Sequence, residues 1–326
     1  MSPSTRSLVS RLGLRLVACS LALSASLALA AYPDKPIKLM VPFPAGGTVD
    51  AVARAFGTQL AKEAGVTVIV DNVPGAGGAI ATRKLVGSAA DGYTILLTTP
   101  NHTINPSINE NLGYDAQKDV TAVGLLAQIP ELLVAPVSTP FNDFTGMVAY
   151  ARAHPGKLNY ASAGNGTLPH VTMELLLKKL GLDIVHVPYK GAAPALNDLL
   201  AGVVSLKYDT IATSAGHIQS GRIKALGIAS LKRSALMPAV PTISEQGLPG
   251  YQGILWMGVL APSGTPVTVV DALNTLLRKS LQDAELRKKF DAWGVDVVGS
   301  SPAEFSAVIE TELKQWAGLI RRSTIK

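Results

Sequence analysis

The chain has 326 residues, with 29 lysine and arginine residues against 23 acidic residues and a formal net charge of +6. Three of the arginines lie within the first thirty residues, so residues 31–326 carry 26 basic residues and a net charge of only +3. This small excess, without any lysine and arginine run or aromatic-basic motif, argues against nucleic acid as a partner. It is still sufficient to favour the approach of anionic solutes.

Residues 1–30 have the pattern of a secretory signal peptide. A basic segment precedes the apolar residues 16–29, and Ala28-Leu29-Ala30 has the small-x-small form of a cleavage site. The apolar run of about 14 residues is shorter than the ~20 that a membrane-spanning helix needs. We predict cleavage after Ala30 and a periplasmic location. Lipid attachment at Cys19 remains an alternative, although Arg15 lies too close to leave an apolar run before the cysteine.

The chain from residue 31 onward has no cysteine, so its stability must come from core burial rather than from disulfides. Short β-branched runs alternate with amphipathic helical stretches, which indicates α/β layers around mostly parallel sheets. Ser301-Pro302-Ala303-Glu304 is a capping box with proline at the first helical position, and it predicts a helix from there to about residue 320. The predicted strands are 37–41, 67–70, 93–98, 121–127, 158–161, 184–187, 204–208, 223–229 and 254–260.

Two apolar extended runs, residues 131–136 and 253–262, are candidates for segments that cross between two lobes. With both as crossings, lobe one comprises residues 31–133 and 257–326, and lobe two comprises residues 134–256. Two parallel crossings are typical of a hinge that closes around a ligand.

Three glycine-bearing loops connect a predicted strand to a predicted helix. Glycine lets the backbone approach a ligand, and the amides of a helix N-terminus bind an anion without a cationic side chain. The first loop by itself is equally compatible with a tight turn that binds nothing, but three such loops in two lobes favour a ligand, since ligands collect at the carboxyl ends of strands. The candidate ligand-binding residues in these loops are Phe43, Ala45, Gly46, Gly47, Thr48 and Asp50, then Ser162, Gly164, Asn165, Gly166 and Thr167, then Tyr189 and Lys190.

The glycine-rich residues 72–78 lack the ending of a phosphate-binding loop, so a structural turn is the better interpretation and no nucleotide cofactor is expected. His102 and His170 adjoin the candidate loops, and a structural hydrogen bond is the favoured role for each. Asp209 either reaches the cleft or caps the next helix. Since histidine spacing for a metal and a nucleophile elbow are both missing, we predict neither a metal site nor an enzyme.

Together these segments resemble the Bug receptors, the extracytoplasmic solute-binding proteins of tripartite tricarboxylate transporters. The resemblance is carried by residues 42–50, 72–78, 91–93, 101–106, 160–167, 186–191 and 241–249, with Glu304-Phe305 and Trp316 near the carboxyl end.

The resemblance implies a type II periplasmic-binding-protein-like fold, a monomer, and a ligand between the lobes: a mono- or dicarboxylate, an acidic amino acid or an aromatic acid. Carried over by position, the loops at 42–50 and 162–167 would hold the shared carboxylate. Asn101-His102, Tyr189-Lys190 and Asp209 would border the variable end, and Tyr208 departs from the phenylalanine that is frequent there. The implied partners are membrane permease subunits. A solute sensor that acts on a membrane sensor kinase, and an exported hydrolase or lyase using Asp50 or His170, are the alternatives.

Overall fold

The computed structural model describes residues 32–109 and 111–321. The predicted signal peptide and Cys19 lie outside the described residues. Within them, no helix is both long and apolar enough to cross a bilayer. The strands are β1 (Ile37–Val41), β2 (Val68–Asn72), β3 (Thr94–Thr98), β4 (Val120–Pro130), β5 (Leu132–Pro136), β6 (Asn159–Ser162), β7 (Val185–Pro188), β8 (Leu206–Asp209), β9 (Ile223–Ile228), β10 (Ile254–Pro262) and β11 (Asp296–Val297).

The helices alternate with these strands. They are α1 (Thr48–Ala64), α2 (Ala79–Val86), α3 (Asn101–Ile108), α4 (Phe144–Ala153), α5 (Leu168–Leu180), α6 (Ala192–Leu200), α7 (Ile211–Gln219), α8 (Val267–Ser280), α9 (Ala284–Trp293) and α10 (Pro302–Arg321). The capping box that was predicted for the last helix is present, because the backbone amide of Ser301 donates to the Glu304 carboxylate at 2.8 Å.

The strands form two sheets, each flanked by helices. The first has the order β11-β4-β10-β3-β1-β2 and the second the order β7-β6-β8-β5-β9. One core packs Met40, Leu96, Trp256 and Phe305 around the first sheet, and another packs Leu133, Tyr160, Met173 and Leu206 around the second. The predicted two-lobed α/β architecture is confirmed.

The sheets are mixed, so the expectation of mostly parallel pairing is wrong in that detail. β1 runs parallel to β2 and β3, whereas β10 is antiparallel to both β3 and β4. In the second sheet, β6 is parallel to β7 and β8, but β5 is antiparallel to β8 and β9. The reason lies in the crossings: β4 leads out of the first sheet and β10 returns to it, so the two strands lie side by side in opposite directions.

The chain passes from one sheet to the other at two points that lie side by side in the structure. β4 ends at Pro130 and β5 begins at Leu132, and the amide of Glu131 between them donates to the carbonyl of Gly253 at 2.8 Å. Gly253 directly precedes β10. We propose Glu131 and Gly253 as the lobe limits, which lie within a few residues of the sequence-based limits 31–133, 134–256 and 257–326.

We expect that replacing Gly258 with alanine destabilises the first lobe. A Cβ atom at this position in β10 would overlap the ring of Phe305, which is fully buried against the strand. Overpacking of this kind costs about 1–3 kcal/mol, which corresponds to a lower melting temperature by roughly 2–4 °C per kcal/mol. Thermal unfolding measures it. Gly216→Ala in α7 is the control, since no atom lies within 4 Å of the added methyl group. Equal melting temperatures for the two variants would contradict this expectation.

Candidate functional site

A narrow cavity of ≈ 80 Å³ lies between the two lobes, at the edge of each sheet where strands lead into helices. Its walls are mainly apolar, and polar groups reach it from a few segments of each lobe. The first lobe contributes residues 43–45 and 47–50, Asn101 and Leu255. The second contributes Ala163, residues 167–169, 191–194 and 207–210, and Glu131 lies at the crossing.

Of the helices that begin at this cavity, α1 and α6 approach it from opposite lobes. α1 follows Gly47 and α6 follows Gly191, and neither helix has a side chain that caps its first turn. A Cβ atom added to Gly47 would lie 3.9 Å from that of Ala192, so the two helix starts lie close together across the cleft. Gly191 has a φ of +122°, a conformation that favours glycine, and its closest neighbour is the Pro44 ring of the other lobe.

The first-turn amides of these helices are unoccupied. Among the described residues, the backbone amides of Thr48, Val49, Asp50, Ala192 and Ala193 donate no hydrogen bond. The first turn of a helix has no intrahelical acceptor for such amides, and the helix dipole gives them a positive potential. The two helix starts can therefore attract an anion to the cavity beside them without a cationic side chain.

Asp50 organises the first loop. Its Oδ2 accepts from the Gly46 amide at 3.0 Å and from Arg54 Nε at 3.0 Å, and its Oδ1 accepts from Asn72 Nδ2 at 2.9 Å. Burial by itself raises the pKa of Asp50, but the hydrogen bonds from Arg54, Gly46 and Asn72 outweigh it and lower the pKa. The Gly46 amide is consequently occupied and Gly46 does not line the cavity, whereas Phe43, Ala45, Gly47, Thr48 and Asp50 do.

The second loop is braced by its own side chains. Ser162 Oγ lies 3.1 Å from the Gly164 amide and 2.7 Å from His186 Nε2. Thr167 Oγ1 donates to the Gly164 carbonyl at 2.6 Å. The Gly166 amide donates to His170 Nδ1. Of the residues predicted here, Thr167 lines the cavity, while Ser162, Gly166 and His170 lie behind it.

Burial disfavours a positive charge on the two histidines next to this loop. The rings of His170 and His186 stack with their centroids 4.1 Å apart, and burial lowers the pKa of His170 and lowers that of His186 to about 4. His102 lies in α3 away from the cavity, because its Nε2 is directed to the Ala116 carbonyl at 2.7 Å. Burial lowers the pKa of His102 to about 4. In residues 32–109 and 111–321, no group of three or more His, Cys, Asp or Glu side chains is placed to hold a metal.

Two hydrogen bonds join the lobes at the rim of the cavity. Asn101 Oδ1 accepts from the Leu168 amide at 2.9 Å, and Thr48 Oγ1 lies 2.7 Å from Thr210 Oγ1. Asn101 also donates to the Gly77 carbonyl at 3.2 Å, so this side chain, which lines the cavity, connects three segments as well. The structure is therefore in a closed form.

An adjoining, more open cavity of ≈ 550 Å³ contains the other predicted residues. Gly164, Asn165, Tyr189 and Lys190 line it together with residues 74–78, and Phe43, Pro44 and Gly191 lie between it and the narrow cavity. Tyr189 is held by a 2.6 Å hydrogen bond to Asp198. Tyr189 and Lys190, which were predicted to border the ligand, therefore line this outer cavity and not the narrow one.

The structure adds two ionisable residues that sequence reasoning missed. Glu131 and Lys207 are 4 % and 2 % exposed and both line the narrow cavity, beside Asp209, which is 5 % exposed. Lys207 Nζ lies 2.8 Å from Asp209 Oδ1. Asp209 also accepts from the hydroxyl groups of Ser214 at 2.9 Å and Thr213 at 2.7 Å in the first turns of α7, so it faces the cavity but accepts from none of the helix's backbone amides. The sequence did offer one signal for this group, namely Lys207 within a short predicted strand, since a lysine that is buried in a strand requires a partner.

Comparison with known proteins identifies the family and the fold. The model of the tripartite tricarboxylate transporter family receptors matches residues 52–325. The solved periplasmic binding protein BugD is 34% identical, with a TM-score of 0.86 over 90% of this chain and 99% of its own. An R. palustris protein solved with adipate is 34% identical (TM-score 0.85, 89% and 97% covered). MatC from Rhodopseudomonas palustris, solved with bound malate, is 32% identical (TM-score 0.84, 89% and 100% covered). The predicted resemblance and the periplasmic-binding-protein-like fold are thereby confirmed, and the chain belongs to the receptor family of tripartite tricarboxylate transporters.

Proposed function

We propose that this protein is a periplasmic solute-binding receptor that captures a small carboxylate and delivers it to the permease subunits of a tripartite tricarboxylate-type transporter. The observation that carries the proposal is the pair of uncapped helix starts, α1 and α6, whose five free amides surround a mainly apolar cavity between the lobes. The adipate and malate found in two related structures support a carboxylate as the solute.

These amides are sufficient for useful affinity. A hydrogen bond to a charged group contributes about 1.5–3 kcal/mol, and a partly buried helix start adds up to ~2 kcal/mol. Micromolar binding requires ~8.2 kcal/mol after the costs of association and ordering. Three or four amide bonds from two helices reach this range. The ligand contacts we propose are therefore Thr48, Val49, Asp50, Ala192 and Ala193 through their backbone amides, with Phe43, Ala45, Gly47 and Thr167 around them.

Closure of the lobes belongs to the same proposal. The Asn101 to Leu168 and Thr48 to Thr210 hydrogen bonds cross the cleft, so they exist only when the lobes are together. Crossings at Glu131 and Gly253 provide the hinge. A carboxylate that binds the closed form better than the open form shifts the population towards closure.

The test is a thermal-shift screen of the secreted chain, residues 31–326, against mono- and dicarboxylic acids and their primary amides. A ligand at about 100 times its Kd adds ~2.7 kcal/mol of stability. We expect at least one acid to raise the melting temperature while its amide does not, since the amide has no charge for the helix starts. An amide that shifts the transition as far as its acid, or a panel without any active acid, would count against the proposal.

A further inference from the structure

Three ionisable side chains form the inner wall of the narrow cavity. Glu131 precedes β5, and Lys207 and Asp209 lie on the neighbouring strand β8. Because β5 is antiparallel to β8, its first residues lie at the same edge as the end of β8, and Leu132 pairs with Asp209. All three side chains are more than nine-tenths buried and line the cavity. We call them the inner cluster.

The inner cluster and the start of α6 lie at the ends of different strands of the second sheet. α6 follows β7, which is separated from β8 by β6 and from β5 by β6 and β8. Two to three strand spacings of about 4.8 Å correspond to roughly 10–14 Å of sheet edge, part of which is spanned by side chains and by the start of the helix. A carboxylate held at α1 and α6 therefore directs the remainder of the ligand towards the inner cluster.

The surroundings of Glu131 favour the protonated carboxyl. Its side chain is buried, and the cation beside it, Lys207, is already paired with Asp209. Thr172 Oγ1 lies 2.8 Å from Glu131 Oε2 and 2.7 Å from the Leu168 carbonyl oxygen, so its one hydroxyl hydrogen is shared between two acceptors and offsets a carboxylate charge only in part. Burial and the nearby charge of Asp209 raise the pKa of Glu131 to about 8, against the hydrogen bond from Thr172 and the charge of Lys207, which lower it.

The inner cluster is consequently neutral overall. Lys207 balances Asp209 in a 2.8 Å ion pair, and Glu131 is uncharged. A second N–H of the Lys207 ammonium group donates to the Tyr208 carbonyl at 3.1 Å, which leaves its third N–H without an acceptor in the described residues. Glu131 Oε1 has no hydrogen-bond partner in the described part of the chain. One acceptor, Glu131 Oε1, and one donor, the third N–H of Lys207, are therefore left beside the cavity.

We propose that the inner cluster selects a monocarboxylate whose far end is an uncharged hydroxyl group, and that it rejects dicarboxylates. This inference rests on the proposed function. A hydroxyl donates to Glu131 Oε1 and accepts from Lys207, and thus satisfies both open positions. A second carboxylate would instead bring an uncompensated charge into a buried, neutral site next to Asp209, and such burial is costly. The apolar walls, which include Phe43, Val49 and Leu255, fit the carbon body between the two ends.

The test uses two matched sets of probes that differ only at the far end: hexanoate, 6-hydroxyhexanoate and adipate, and benzoate, 4-hydroxybenzoate and terephthalate. Calorimetric titration of the secreted chain should give the tightest binding for a hydroxy acid in at least one set, with the diacid of that set at least tenfold weaker. Equal or tighter binding of the diacid overturns the inference and leaves carboxylate capture intact. If none of the six binds while another acid in the broader screen does, the inference is also overturned.

Two variants test whether the net charge of the inner cluster causes the selection. Asp209→Asn leaves Lys207 unpaired and makes the inner cluster positive, so the preference for the hydroxy acid over the diacid should shrink at least tenfold or reverse. Glu131→Gln keeps the site neutral and should preserve the order of affinities. If the Asp209 variant does not fold, Glu131→Gln still tests the role of the inner cluster. An order unchanged in Asp209→Asn, or reversed in Glu131→Gln, overturns the role of the inner cluster.

The pH dependence supplies an independent readout. Glu131 faces Lys207 and Asp209, and the hydroxyl groups of Tyr208 and Tyr251 lie behind it. When the pH rises through about 8, Glu131 loses its proton and the inner cluster becomes negative, so hydroxy-acid affinity should fall between pH 7 and pH 9. In Glu131→Gln the affinity should stay constant over this range. Parallel pH profiles for the two proteins would contradict the proposal.

Discussion

Replacing Ala192 with proline is expected to weaken hydroxy-acid binding by roughly 10- to 100-fold while α6 stays folded. Ala192 is the first residue of the helix, where proline is tolerated because its missing amide has no intrahelical partner. The substitution therefore removes one of the five free amides and little else. A charge-assisted hydrogen bond of about 1.5–3 kcal/mol corresponds to the stated loss of affinity. Calorimetric titration with 6-hydroxyhexanoate or 4-hydroxybenzoate, whichever binds more tightly, measures it.

Val267→Pro is the matched control for this variant. Val267 is the first residue of α8, it is 73% exposed, and it does not line the cavity, so the same kind of amide is removed without a ligand nearby. Its affinity should equal that of the unmodified protein, and circular dichroism should be alike for both variants. Unchanged binding in Ala192→Pro would show that the start of α6 does not hold the carboxylate.

The largest expected effect on stability comes from Lys207→Met. Lys207 and Asp209 are almost completely buried, and the methionine side chain fills similar space without the charge. Removing one partner of a buried ion pair costs about 3–5 kcal/mol, because the remaining charge is buried without compensation. We therefore expect a clear drop of the urea midpoint with little change in the slope of the transition.

A second substitution distinguishes lost charge balance from poor packing. In Lys207→Met combined with Asp209→Asn, no charge remains unpaired, and most of the stability should return. Lys84→Met is the surface control, since its contact with Asp71 is longer, at 3.4 Å, and half exposed, so almost no change is expected. A double variant that is no more stable than Lys207→Met would contradict the charge explanation.

Local sequence patterns determined much of this protein. The run Ile37–Val41 predicted β1 to the residue, and the capping box at Ser301 predicted the start of α10, because both depend on residues that are neighbours in the chain. The strand-to-helix loops likewise indicated which segments would meet at one edge of each sheet, and several of their residues line the cavities there.

Only the tertiary structure decided which groups are free at that edge. The amides of Gly46 and Gly166 are occupied by Asp50 and His170, whereas the amide of Ala192, in a less distinctive segment, is open. Glu131 reaches the cavity from the start of an antiparallel strand, beside Lys207, which lies 76 positions further along the chain. A local pattern records the residue types of a loop or strand, but the direction of a returning strand and the partner of each donor depend on packing between distant segments. That packing determined both the proposed anion site and the inner cluster.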